Sequence, residues 1–267
     1  MYRLLIISLL SVAIYACTAK GPYSATNKIY KQQVKALAKP LTELPVVTPY
    51  NSPLYQAATI NFNLRKPNYV IIHHTAQNSC EQTLQTFTIV KTQVSAHYVI
   101  CKDGTIHHML NDYLRAWHGG VARWGSITDI NSVSLGIELD NNGTEDFSES
   151  QLTSLMKLLA DIQKTHNIPA SNFIGHSDIA PLRKQDPSVK FPWKRLAESG
   201  FGKWYDAVLD TLPPGFNHLH GLKIIGYDVK DSTAAIIAFK RHFIQNELSP
   251  VLSQEQKVII NNLIKHY

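Results

Sequence analysis

Two short apolar runs, Tyr69-Val70-Ile71-Ile72 closed by His73 and Leu135-Gly136-Ile137-Glu138-Leu139, constrain this chain more than any other feature. Near-continuous apolar segments of this length fit strands covered on both faces, the signature of a parallel or mixed sheet. Helical patterns separate them. Ser79-x-x-Gln82 reads as a capping box, opening a helix with Leu84, Phe87, Val90 and Val94 on one side. His97 to Cys101 and Thr105 to His108 flank Lys102-Asp103-Gly104, a turn signal that predicts a hairpin. Ser132 to Leu139 forms the second buried strand. Ser148-x-x-Gln151 then caps a long helix, with Leu152, Leu155, Met156, Leu159 and Ile162 as its inner stripe. Asn172 to Gly175 is a short strand delivering His176. Strands alternating with helices predict an α/β fold, a central mixed β-sheet flanked by helices.

The polar residues interrupting these runs carry chemistry. His73 ends its strand, where a ring is exposed at the rim of a sheet. His176 follows about a hundred residues later, Asp186 ten positions after that, and Glu138 sits inside the second run. Two imidazoles and one carboxylate are the ligand set of a catalytic zinc ion with one position left for water. A nearby acid can take that water's proton. With twelve histidines in the chain, a His-x9-Asp pair also arises by chance, each residue making an ordinary polar contact. For Glu138 the structural alternative is a salt bridge, because an unpaired carboxylate on an apolar strand is costly. No His-Glu-x-x-His helix is present, which argues against a peptidase of that type.

The 267 residues are 44% hydrophobic, enough for a sizeable core, and carry a net charge of +6. That charge suits an anionic polymer or surface. Nucleic acid is not expected, since no basic helix or interleaved aromatic-basic motif occurs. Near the N-terminus, Arg3 precedes the apolar stretch Leu4 to Ile14, too short to span a bilayer and read as a signal-peptide core. It leads to Ala16-Cys17, which looks like a lipobox with a cysteine destined for acylation. Two or three acyl chains anchor a protein stably, and Thr18 after the cysteine favours the outer membrane, facing the periplasm. The alternative is a soluble periplasmic or secreted protein. Residues 18–60, with Pro40, Pro45, Pro49 and Pro53, read as a tether holding a short helix at Lys28 to Leu37. Cys80 and Cys101 would meet an oxidising compartment. They can pair, or remain two buried thiols; no spacing rule decides.

The flanks of the candidate ligands are specific. They read Tyr69-Val70-Ile71-Ile72-His73-His74-Thr75-Ala76, Phe173-Ile174-Gly175-His176-Ser177-Asp178-Ile179-Ala180-Pro181-Leu182-Arg183-Lys184-Gln185-Asp186-Pro187, and Lys190-Phe191-Pro192-Trp193. Together they resemble the zinc amidases related to phage-type lysozyme amidases and peptidoglycan recognition proteins. In particular they resemble the N-acetylmuramoyl-L-alanine amidases anchored as lipoproteins in the Gram-negative outer membrane. The resemblance spans roughly Pro67 to Gly200. It implies a Zn2+ cofactor held by His73 (rather than His74), His176 and Asp186, the last being a cysteine in the peptidoglycan recognition branch. It implies Glu138 as general base and acid, and Lys184 as a cation stabilising the oxyanion, for which a solvent-exposed lysine is the alternative. Some relatives carry a tyrosine where this chain has Ala96, which leaves the acid role to Glu138.

His74, and Trp117 with His118 in Arg115-Ala116-Trp117-His118-Gly119-Gly120, match positions lining the substrate groove; for Trp117 a core position is the alternative. The implied reaction is hydrolysis of the amide between N-acetylmuramic acid, or its 1,6-anhydro form, and L-alanine of the stem peptide. Peptidoglycan or muropeptides are the implied partners, with the membrane reached through Cys17 and the protein a monomer. The other reading is a non-catalytic peptidoglycan-binding protein of the same fold, against which the intact ligand set and acid argue. After the break at Leu212-Pro213-Pro214-Gly215, the chain is helical. There Gly226-Tyr227-Asp228 and Ala238-Phe239-Lys240-Arg241-His242-Phe243 resemble a small three-helix peptidoglycan-binding module, the alternative being a helical extension packed on the catalytic domain. The expected organisation is therefore 1–17 signal peptide with lipobox, 18–60 tether, 61–204 zinc amidase domain, and 205–267 all-helical module.

Overall fold

A computed structural model describes residues 21–42, 61 and 63–267. Cys17 with its lipobox and most of the tether lie outside the described residues. In the N-terminal unit, α1 (Ser24–Ala38) covers the expected Lys28 to Leu37 helix and buries none of its side chains. The second compact unit begins at Asn63 and runs to Tyr267. No helix among the described residues is long and apolar enough to cross a membrane.

The second unit is built on five strands: β1 (Tyr69–His74), β2 (Tyr98–Ile100), β3 (Ile106–His108), β4 (Ser134–Leu139) and β5 (Phe173–Gly175). Their order is β3-β2-β4-β1-β5. The β1, β4, β5 and β2 pairings are parallel, and the β2–β3 hairpin is antiparallel, so the sheet is mixed as expected. The helices between strands are α2 (Cys80–Thr88), α3 (Glu149–His166) and α4 (His176–Ile179), followed by α5 (Trp193–Glu198). A disulfide joins Cys80 at the start of α2 to Cys101 after β2.

The predicted inner stripe of α2 is too long. The helix stops at Thr88, and Val90 and Val94 are exposed. The sequence Thr86-Phe87-Thr88-Ile89-Val90 is β-branched at most positions, which costs rotamer freedom in a helix. Its threonines also bond backward, Thr86 Oγ1 to the Gln82 carbonyl at 2.9 Å and Thr88 Oγ1 to the Gln85 carbonyl at 2.8 Å. Such local bonds compete with helix continuation.

Because side chains alternate along a strand, the two faces of the sheet have different covers. Val70, Ile72, Leu135, Ile137 and Leu139 pack with Leu152, Leu155, Leu159 and Ile162 of α3 and with Trp193 and Leu196 of α5. On the other face, Ile71 and Ile174 join a core with Trp124, Ile179 and three C-terminal helices, α6 (His218–Ile225), α7 (Ser232–Phe243) and α8 (Gln254–Leu263). Close fit marks this junction: a Cβ at Gly226 would lie 2.3 Å from Trp124 Cε2. Asp178, fully buried on α4, ties the layers further. One of its oxygens accepts from Tyr227 Oη at 2.8 Å, and the other from His242 Nδ1 at 2.8 Å and from the Gly175 amide at 2.7 Å. The His242 ring stacks on Trp193 with centroids 3.9 Å apart.

Packing is thus continuous across the Pro213-Pro214-Gly215 break. Burying side chains such as Leu222, Ile225, Phe239, Phe243, Ile260 and Leu263 stabilises by roughly 1.5–3 kcal/mol each. Their sum is on the order of the whole stability of a domain, about 5–15 kcal/mol. A chain truncated after Gly215 is therefore expected to be insoluble or molten. Far- and near-UV circular dichroism of the truncated protein checks this, and a soluble truncation with a cooperative thermal transition would contradict it.

Candidate active site

The site stands where β1 and β4 end. In their parallel register His73 lies directly beside Glu138, and both side chains rise from the face that carries Ile71 one pair below. The third element is the stretch after β5. His176 opens α4, and the Ser177 amide donates to the Asp186 carbonyl oxygen at 2.7 Å, closing the loop between them. Within that loop the amides of Arg183 and Lys184 both donate to the Ala180 carbonyl, which holds Lys184 on the same turn.

These elements bring His73, His176 and Asp186 together. His73 Nδ1 is 2.9 Å from His176 Nδ1, and Asp186 Oδ2 is 3.0 Å from the first and 2.9 Å from the second. The outer nitrogens are already committed. His176 Nε2 lies 3.1 Å from the Gly119 carbonyl oxygen, an acceptor only, so it carries the proton and Nδ1 presents a lone pair. Burial, and then the neighbouring His176, lowers the His73 pKa to about 4, so its ring is neutral near pH 7. Three potential ligand atoms facing one point at this spacing suit a cation. A tetrahedral zinc with bonds of ~2.0–2.1 Å would set its ligand atoms about 3.3 Å apart. The donor set therefore fits a metal ion after a shift of a few tenths of an ångström. A second convergence, of Cys80, Cys101 and His107, has both sulfurs used in the disulfide.

Glu138 Oε1 is 3.9 Å from His73 Nδ1, and Oε2 is buried with no hydrogen-bond partner. Its one ion-pair contact among the described residues is that with His73, whose ring is neutral near pH 7. Burial, followed by the charge of Asp186, pushes its pKa up to about 8, and the Lys184 charge opposes that rise. Lys184 is half-buried, and its charge also acts on His73 and His74.

Of the positions expected to line the groove, Trp117 is 53% exposed and available, not a core residue. His118 is only 8% exposed and lies beneath His73, with His73 Nε2 at 3.1 Å from its Nδ1. His74 projects to the opposite side of β1 from His73. Its Nδ1 accepts the Ser188 amide at 3.2 Å, steadying the segment that carries Asp186.

Other contributors escaped the sequence reading. Arg183 Nη2 donates to the carbonyls of Gly119, at 2.9 Å, and Val121, at 2.6 Å, strapping the His176–Asp186 loop to residues 119–121. Asn131 Oδ1 accepts the amides of His118 and Gly119 at 3.2 and 2.8 Å. Both contacts join residues distant in sequence, and only the Arg-Lys dipeptide beside the ligand loop hinted at one of them.

Residues 63–189 match the N-acetylmuramoyl-L-alanine amidase family. Over 230 residues the chain is 31% identical to N-acetylmuramoyl-L-alanine amidase AmiD of Escherichia coli K12, covering 74% of this chain and 82% of AmiD. The solved complex of E. coli AmiD with anhydro-N-acetylmuramic acid-L-Ala-D-gamma-Glu-L-Lys superposes with a TM-score of 0.68 at 28% identity, covering 83% of this chain and 97% of AmiD's. Pseudomonas aeruginosa AmpDh3 with an anhydromuramic pentapeptide gives 0.69 at 27% identity, covering 84% of this chain and 99% of that one. With residues 63–189 matching this family and the likeness to AmiD running over most of both chains, the chain belongs to the N-acetylmuramoyl-L-alanine amidase family.

Proposed function

We propose that His73, His176 and Asp186 hold one zinc ion, and that the chain hydrolyses the amide between N-acetylmuramic acid, or its 1,6-anhydro form, and L-alanine of the stem peptide. The observation that carries this reading is the convergence of two imidazole Nδ1 atoms and one carboxylate oxygen beside the buried, unpartnered Glu138 carboxylate. Family membership supplies the bond, and the anhydromuramyl peptides bound to AmiD and AmpDh3 support the substrate class.

Zinc, when bound, polarises the scissile carbonyl and lowers the pKa of a water towards neutrality. Glu138 accepts a proton from the attacking water as its oxygen bonds to the carbonyl carbon. It returns that proton to the amide nitrogen as the C–N bond breaks, giving a lactyl carboxylate and a free L-alanine amine. A carboxyl group with a raised pKa is suited to both transfers near neutral pH. Lys184 supplies a positive charge to steady the carbonyl oxygen as it becomes anionic. Trp117 offers an exposed aromatic face at the rim for sugar or peptide. Leu4 to Ile14 and Ala16-Cys17 support an extension of the proposal: export, acylation of Cys17, and an outer-membrane anchor facing the periplasm.

The purified protein is expected to contain about one zinc per chain, as a three-ligand catalytic site requires. Glu138→Ala should keep that metal while lowering kcat by ~10²–10⁴, the usual worth of general acid–base catalysis. Metal analysis, with mass spectrometry of products from defined muropeptides, reads both. Full activity and stoichiometric zinc in His73→Ala would remove the ligand assignment, and Glu138→Ala within about tenfold of wild type would remove the proton-transfer role. Palmitate labelling of cells is expected to mark the wild type and not Cys17→Ser; equal labelling of both would rule out the anchor.

A further inference from the structure

His118 has the surroundings of a residue that acts on the site without touching the metal position. Hydrogen-bonding capacity alone assigns every proton around it. Ser134 Oγ lies 2.7 Å from the Ile130 carbonyl oxygen, which only accepts, so the hydroxyl proton is spent there. His118 Nε2, 3.2 Å from the same Oγ, is then the donor of that contact. A neutral imidazole has one N–H, so His118 Nδ1 is a bare lone pair, and it faces His73 Nε2 at 3.1 Å. That contact is a hydrogen bond only if His73 Nε2 carries the proton. The lone pair of His73 is thereby placed on Nδ1, the atom that faces His176 and Asp186.

We propose that His118 is a positioning residue: the chain Ile130–Ser134–His118 locks His73 in the tautomer that can ligate, and so sets the affinity of the site for its metal. The inference rests on the metal reading proposed above. The fold makes room for the device. A Cβ at Gly136, one pair below the His73–Glu138 rung on the same face, would lie 2.5 Å from His118 Cγ, so the ring occupies the space of a missing side chain. Asn131 fixes the backbone from which the ring hangs. The next residue does the same for the other imidazole, since the Gly119 carbonyl accepts from His176 Nε2. Adjacent residues of one loop thus set both histidine tautomers, one through a side chain and one through the backbone. A ligating histidine whose remote N–H is fixed in this way is more basic and better oriented.

The test measures zinc Kd of the metal-free full-length protein by chelator competition, alongside the 15N-NMR tautomer of His73. His118→Phe keeps a ring but no acceptor, and should weaken zinc binding about 10–100-fold, the usual effect of losing such a partner, with His73 a mixture of tautomers. His118→Gln restores an oxygen acceptor for His73 Nε2–H and should recover most of the affinity, which a merely space-filling role would not produce. Ser134→Ala removes one buried oxygen and should weaken binding in the same direction; it serves as the deciding variant if His118→Phe does not fold. Zinc affinity within about twofold of wild type in His118→Phe and Ser134→Ala, well inside that expected loss, or a wild-type His73 protonated on Nδ1, would overturn the proposal. Failure of the wild type to bind zinc at all would overturn the metal centre itself, a result distinguishable from the first.

Discussion

Three electron pairs, on His73 Nδ1, His176 Nδ1 and Asp186 Oδ2, are held within 3.0 Å of one another in a mostly buried pocket. Left to themselves they would repel, rotate apart or take up protons, and much of the surrounding structure prevents this. The Gly119 carbonyl engages the far side of His176, His118 engages the far side of His73, and the Ser177–Asp186 backbone bond holds the carboxylate. Pre-organising mutually repulsive ligands costs folding energy that a bound cation would return. The arrangement supports the metal reading proposed for the site.

That arrangement depends on layers well outside the pocket. The β1–β4 register sets His73 against Glu138, and a one-residue slip of either strand would send its residue to the opposite face. The stretch bearing His176 is pinned from the opposite side by Asp178, whose partners Tyr227 and His242 lie in the C-terminal helical region. Those helices cover the sheet face on which the site stands, so they support the catalytic geometry whatever else they contact. Their resemblance to a peptidoglycan-binding module is compatible with such support, since binding and bracing would use different faces of the same helices.

Much of this was legible in the sequence because it is local. Apolar runs ending in His73 and containing Glu138 declare strands and place their polar residues at a rim. The Ser79 and Ser148 caps declare where helices begin. What the sequence hid is long-range or consists of an absence. His118 reads as a groove residue only through the resemblance of its segment to a lining one, while its actual place is decided by Gly136, a missing side chain on another strand. A glycine inside a buried strand signals close approach by something, but not by what. The strap from Arg183 and the Asp178–His242 contact join segments far apart in the chain. Helical periodicity also ran past Thr88, where threonine back-bonding ended α2.

The central claim is that nitrogen and oxygen donors of His73, His176 and Asp186 form the metal centre. X-ray absorption at the zinc K-edge of the purified full-length protein tests it most directly. The account predicts nitrogen and oxygen scatterers at ~2.0–2.1 Å, outer-shell scattering from two imidazole rings, and no sulfur. A sulfur shell at ~2.3 Å would point instead to Cys80, Cys101 and His107, and would contradict the account, as would scattering from fewer than two imidazoles.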